Sequence, residues 1–130
     1  MSTMKRGLLL FAHGARDPGW ALPFEDVADR IRRAAPGVPV ELCYLEFMQP
    51  GLAEGGHRLA ALGCERVDVV PLFLGAGGHV RKDLPALVRD LEDAYPLVQW
   101  RLHPAVGELE PVIAAMADAA AELATQQSLE

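Results

Sequence analysis

VVPLFLGAGGHVRKDLP, residues 69–85, carries three signals in a row. An apolar run stops at Leu74. Three glycines, Gly75, Gly77 and Gly78, follow within four residues. His79 then precedes Val80, the cations Arg81 and Lys82, and Asp83, and apolar residues begin to recur at helical spacing. A continuous apolar run fits a strand covered on both faces, as in a parallel sheet. Glycine lets a backbone turn tightly or lie close to a ligand. The stretch therefore predicts a buried strand, a glycine turn bearing a histidine, and the start of a helix.

The same alternation extends in both directions. Apolar runs over 7–12 (GLLLFA), 38–46 (VPVELCYLE), 66–74 (RVDVVPLFL) and 97–102 (LVQWRL) predict four strands, the last more polar and so nearer an edge. Helical spacing places Phe24, Val27, Ala28 and Ile31 on one face of 21–35, which Pro36 and Gly37 end. Helices are also predicted over 52–62, closed by Gly63, and over 80–94, stopped near Pro96. An alanine-rich helix over 108–126 tolerates Pro111 in its first turn, and its Ile113, Met116, Ala120 and Leu123 are expected to face the core, with a dimer interface as the alternative. Strict βαβαβαβα order implies an α/β fold: a four-stranded parallel sheet with right-handed crossovers and helices on both faces. No linker divides it, so 1–130 is read as one domain.

Composition narrows the function classes. A chain of 130 residues can bury about two-thirds of the surface it exposes when unfolded. With 51% hydrophobic and 23% charged residues, it reads as globular rather than disordered. The formal net charge is −6 and no basic run exceeds a pair such as Arg81-Lys82, which argues against a general nucleic-acid surface. The apolar run after Lys5 and Arg6 is too short for a secretory signal, and nothing approaches the ~20 apolar residues of a membrane span. Cys43 and Cys64 form no C-x-x-C pair and read as buried thiols in a reducing cytosol.

In open parallel sheets ligands bind beyond the carboxyl ends of the strands. That rim collects His13 after the first strand, Glu46 after the second, His79 after the third and His103 after the fourth. Neutral imidazole is a common ligand for borderline divalent metals and a base near neutral pH. Metal affinity is then expected to fall below about pH 6.5, where imidazole protonates. His103 reads instead as surface packing on a peripheral strand, and His57 as a solvent-facing helix residue. Arg16, Arg81 and Lys82 lie near helix starts, where cations oppose the helix dipole. They suit an anionic ligand better than helix stability. GAGGHV is neither a dinucleotide fingerprint nor a Walker loop, because Val80 stands where the last glycine belongs and no G-K-[ST] follows.

LLLFAHGARDP, YLEFMQP and VVPLFLGAGGHVRKDLP together resemble the sirohydrochlorin cobaltochelatase family, the small class II chelatases of tetrapyrrole biosynthesis. The resemblance covers nearly the whole chain. The family usually has His-Gly-Ser-Arg in the first block, and here Ala15 replaces the serine, removing one hydroxyl. The resemblance implies the chelatase fold, one half-unit per chain. It also implies catalytic and metal-binding roles for His13 and His79, and an acidic function at Glu46. The implied substrates are sirohydrochlorin and a divalent metal, Co²⁺ first and Fe²⁺ or Ni²⁺ as alternatives, with no organic cofactor. Short members of the family work as homodimers. Arg16, Arg81 and Lys82 are read as holding the ring's carboxylates, and Gly77 and Gly78 as making room for the ring. Two other readings compete: a divalent-metal carrier without catalysis, and a half-domain that works only beside a different chain.

Overall fold

The computed structural model describes residues 4–75 and 77–126, and the side chain of His79 lies outside that description. Four strands, β1 (Arg6–Ala12), β2 (Val40–Tyr44), β3 (Arg66–Pro71) and β4 (Gln99–Leu102), form one parallel sheet in the order β2-β1-β3-β4. The helices α1 (Leu22–Ala34), α2 (Leu52–Ala61), α3 (Gly78–Ala94) and α4 (Glu110–Thr125) alternate with them, and short 3-10 turns at Pro18–Ala21 and Val106–Glu108 precede α1 and α4. The predicted order holds, and the polar fourth strand is at an edge.

Register sorts the side chains into two layers. Phe11 pairs with Cys43 and Pro71, and Leu9 with Val69. These residues, with Val67 and Trp100, are buried against Leu59 of α2 and Leu84, Val88 and Leu91 of α3. The alternate residues point the other way. Leu10 packs with Ala28 of α1 and Val40, flanked by half-buried Leu8, Leu42, Val70 and Leu72. Glycine sets how close α2 can come: a Cβ on Gly56 would lie 2.5 Å from Leu91 Cδ2 and 3.3 Å from the Trp100 ring. Cys43 and Cys64 are free and buried, and burial, helped by the nearby Glu41 charge, pushes the Cys43 thiol up to about 12.

The boundaries depart from expectation at informative places. The second strand stops at Tyr44 because Phe47 takes a left-handed conformation (φ 65°) and the chain doubles back, so that Tyr44 N–H donates to Pro50 O. α3 begins at Gly78, which puts His79 in the first helical turn rather than on the glycine turn before it. α4 is the larger correction. Ile113, Met116 and Leu123 are 44%, 41% and 73% exposed, and no residue of α4 is buried. Its expected core face packs on no core of this chain. The cause is the lead-in: Gly107 lies so tightly on the Leu74 backbone that a Cβ would collide with it, and extended Leu109 then sends the helix away from the sheet. Among the described residues, no helix is long and apolar enough to cross a membrane.

Candidate active site

β1 and β3 are neighbours, yet α1 and α3, which follow them, lie on opposite faces of the sheet. That divergence opens a crevice at the carboxyl ends of the two strands. His13 stands at its mouth, exposed and directly after buried Ala12. Its ring stacks on Phe73 at 4.3 Å between centroids, and Phe73 is itself buried edge-on against Phe11.

The β1 and β2 loops are bound to each other here. Glu46 N–H donates to the His13 carbonyl at 3.1 Å, and Leu45 N–H to that of Ala12 at 2.9 Å. Gly14 has φ +87°, and a Cβ there would strike the Glu46 carbonyl oxygen. Only glycine therefore permits this junction, which sets Glu46 beside His13. Phe47, one residue on, carries the Arg16 guanidinium over its ring at 4.6 Å.

From the other side the site is bounded by α3. Gly77 is its N-cap, with an ordinary extended backbone (φ −70°, ψ 169°). A Cβ on Gly75 or Gly77 would meet nothing within 4 Å. Neither conformation nor internal packing demands glycine at these positions; what their missing side chains leave is open space. Lys82 is exposed on the same turn, and Arg81 lies 3.5 Å from the Glu108 carboxylate.

Beside these groups is a cleft of about 320 Å³ whose walls include Phe73, Val80, Arg81, Leu84 and Glu108. Phe73 is shared with His13, and Val80 directly follows His79. A second hollow of about 530 Å³ lies across Leu45, Met48, Leu52 and Leu87. A narrow gap bordered by Phe11, Leu45, Val80 and Leu84 lies between the two. The result is a trough with an apolar floor along the N-terminal half of α3 and with Arg81 in its wall. A broad flat ligand with charged edges matches that distribution of apolar and cationic surface.

The structure thus brings the backbones of His13 and Glu46 together and sets the start of α3, which bears His79, at the same crevice; the His79 ring lies outside the described residues. His103 does not join them. Its Nε2 is 2.8 Å from Asp68 Oδ1, which also accepts from Arg66 Nη2 at 3.0 Å. Burial alone would raise the Asp68 pKa, but the hydrogen bonds from His103 and Arg66 outweigh it and hold the carboxyl below its ordinary value. His57 is exposed on α2, with Nδ1 2.5 Å from the Tyr95 hydroxyl. Sequence reasoning missed Phe73, Phe47 and Glu108. The alternation Val67, Val69, Pro71, Phe73 was the available signal for the first. The other two depend on a left-handed residue and a 3-10 turn that no periodicity announces. Among the described residues, no three His, Cys, Asp or Glu side chains converge on one point, so no closed metal cage is built there.

An open parallel sheet with its crevice where successive crossovers part company is a doubly wound α/β protein. Within that class the chain belongs to the CbiX family, whose family model matches residues 7–123. Among curated proteins it is similar to the sirohydrochlorin cobaltochelatase of Methanothermobacter thermautotrophicus (34% identity, 65% of this chain and 58% of that protein). It also matches those of Sulfurisphaera tokodaii (31%, 66% and 70%) and Priestia megaterium (28%, 83% and 35%). The chain spans little over half of the first of these and about a third of the last. Among solved structures, the CbiX protein of Marinobacter aquaeolei VT8 superposes with a TM-score of 0.81 at 32% identity, over 94% of this chain and 99% of that one. The sirohydrochlorin chelatase SirB of Bacillus subtilis subspecies spizizenii, solved with cobalt, shares the fold at TM-score 0.74 and 24% identity, over 93% of this chain and 52% of its own.

Proposed function

We propose that this protein is a sirohydrochlorin metal chelatase, a lyase-class enzyme that inserts a divalent metal, Co²⁺ first, into the ring. The observation that carries the reading is the placement of His13. It stands on the Phe73 wall of an apolar trough whose opposite edge is the helix start bearing His79. The names of the curated relatives point the same way.

In this reading His13 and His79 hold the incoming metal through neutral imidazoles. Two protein ligands leave most coordination positions open, as transfer to four ring nitrogens requires. The ring lies on the apolar floor, with Gly77 and Gly78 giving its edge access to the backbone. Arg16, Arg81 and Lys82 bind its carboxylates, and the Arg81–Glu108 pair exchanges for an Arg81–carboxylate pair when the ring arrives. Insertion displaces two ring N–H protons. Each leaves its electron pair on nitrogen for the metal, and Glu46, fastened beside His13, accepts one of them. The other goes to the histidine that the metal vacates.

Residues 1–130 work as one domain of a homodimer in the cytoplasm. Two unpaired buried thiols suit a reducing compartment, and the exposed α4 suits assembly. The test is the absorbance change on metallation, followed anaerobically with sirohydrochlorin and Co²⁺, Fe²⁺ or Ni²⁺ in separate cuvettes. Rates above the enzyme-free control that fall by about 100-fold or more in both His13→Ala and His79→Ala are expected, a scale set by loss of a group acting in the transition state. Control-level rates with every metal, alongside tight metal binding, would replace this reading with a metal carrier.

A further inference from the structure

One residue of the rim costs the chain twice. Phe47 has φ 65°, in the left-handed region that a bulky side chain rarely enters, and it is 56% exposed. Closing the turn requires neither cost. Backbone bonds hold it: Met48 N–H donates to Glu46 O at 2.8 Å, and Tyr44 N–H to Pro50 O at 2.9 Å. Glycine would take the same φ without strain and would leave no ring in water. A strained conformation kept at a candidate site, on a residue with a large exposed side chain, points to a use for that side chain.

What the ring holds is Arg16. The guanidinium carbon lies 4.6 Å from the Phe47 ring centroid. Among the described residues the Arg16 side chain has no ion pair and no hydrogen bond. The acid beside it is engaged elsewhere: Asp17 Oδ1 accepts from Gly19 N–H at 3.0 Å and caps the 3-10 turn before α1. Arg30, Arg32 and Arg58 differ, since each pairs with an acid three or four residues before it on its own helix. In a chain of net charge −6, Arg16 is thus a cation held in place without being neutralised. It follows His13 by three residues, and Phe47 stands between Leu45 and Met48, which border the 530 Å³ hollow.

We propose that Phe47 is a positioning residue: its ring fixes the Arg16 guanidinium where it takes up a carboxylate of the incoming macrocycle. The proposal rests on the chelatase reading for its ligand and adds what aims the arginine. A cation–π contact spends none of the five guanidinium N–H donors, so they remain for a bidentate grip on a carboxylate. A loose arginine must give up rotamer freedom when it binds, and one already held over a ring has given up part of it beforehand. The same turn fastens Glu46 N–H to the His13 carbonyl, so one backbone sets the acid and the arginine together.

The test follows binding of metal-free sirohydrochlorin to the full chain by fluorescence anisotropy. Phe47→Gly keeps the turn and removes the ring; it should weaken binding about 5-fold, the scale of one exposed cation–π contact. Arg16→Ala should weaken it about 10-fold or more, as loss of a charge-assisted bond does. The double variant should bind no worse than Arg16→Ala, because Phe47 acts through Arg16. Phe47→Trp should stay within about 2-fold of the parent, since indole is the best aromatic partner for a cation. In metallation by Phe47→Gly, KM for the ring should rise while kcat stays within about 2-fold. One readout needs no ligand: the Arg16 Cδ protons should resonate upfield in the parent and return to their ordinary position in Phe47→Gly. Losses that multiply in the double variant overturn the proposal, by showing that Phe47 meets the macrocycle itself. Parent-level binding by Phe47→Gly overturns it too, as does an Arg16 resonance that the ring does not displace. A parent that binds the ring with this coupling and does not metallate it sinks the chelatase reading alone. A metallating parent with uncoupled variants sinks the positioning role alone, and a parent that does not bind the ring sinks both.

Discussion

On the face of the sheet covered by α2 and α3, Leu9, Phe11, Leu59, Val67 and Val69 are sealed from water. On the face covered by α1, their strand neighbours Arg66, Asp68, Val70 and Leu72 are only half-buried, and Arg101 is exposed. The two faces are made by the same strands, so strand content cannot explain the difference. Connectivity does. α2 and α3 both land on the first face, whereas α1 alone lands on the second and α4 leaves the sheet. One face supplies most of the sealed core; on the other, Leu10, Ala28 and Val40 form a smaller buried cluster. The rim where the faces meet holds the candidate site, because crossovers to opposite sides leave a crevice there.

The largest effect expected from this contrast is on stability. Leu59 is fully buried under the closed face, and Leu59→Ala should cost about 2–5 kcal/mol through lost burial and a cavity. Leu72→Ala on the open face should cost under about 1.5 kcal/mol, since a half-buried side chain gives up less surface. Urea unfolding of both variants checks the difference, and equal costs would mean that the faces do not differ as described. A smaller effect is expected from overfilling. Gly56→Val puts a branched side chain where a single Cβ already stands 2.5 Å from Leu91, so a loss of about 1–3 kcal/mol should appear in the same measurement. No loss would show that α2 can back away from α3.

How much of this the residues announce depends on scale. The strands and the order of elements are legible because apolar-rich runs of six to nine residues alternate with helical spacing, and a parallel sheet demands that pattern. The histidines at the strand ends are legible for the same reason: once GLLLFA and VVPLFL are strands, His13 and His79 must follow them on one rim. Phe47 and Glu108 are not, since their placement comes from a left-handed residue and a 3-10 turn, which are settled by local backbone bonds. α4 is the exception. Its Ile113, Met116 and Ala120 read as core by helical spacing, yet no residue of α4 is buried in this chain, because spacing reports an apolar face and not what covers it.

The half-open face also predicts a pH dependence. Asp68 is held below the ordinary aspartate value: burial pushes it up, but hydrogen bonds from His103 and Arg66 more than compensate. A carboxyl with a lowered folded value contributes stability above its unfolded value of about 3.9, and the contribution is lost as pH falls through the lower folded value. Asp68→Asn should therefore be about 1–2 kcal/mol less stable than the parent at pH 7, the scale of charge-assisted bonds. The gap should close as the pH is taken below 4. A gap of equal size at pH 7 and pH 2.5 would assign the loss to shape rather than to the ionised carboxylate.

The smallest stability effect is expected at the rim, where it is most diagnostic. Gly77→Ala adds a Cβ that meets nothing within 4 Å, in a backbone conformation alanine adopts freely. Alanine is a poorer N-cap than glycine, but it lowers the entropy of the unfolded chain, so unfolding should shift by less than about 0.5 kcal/mol. If the missing side chain exists to admit a ring, the same substitution should still slow metallation, with KM for the macrocycle rising more than kcat falls. Glycine here would then be explained by what comes to the protein from outside. An unchanged KM would return Gly77 to an ordinary loop position and move the ring's edge elsewhere along the trough.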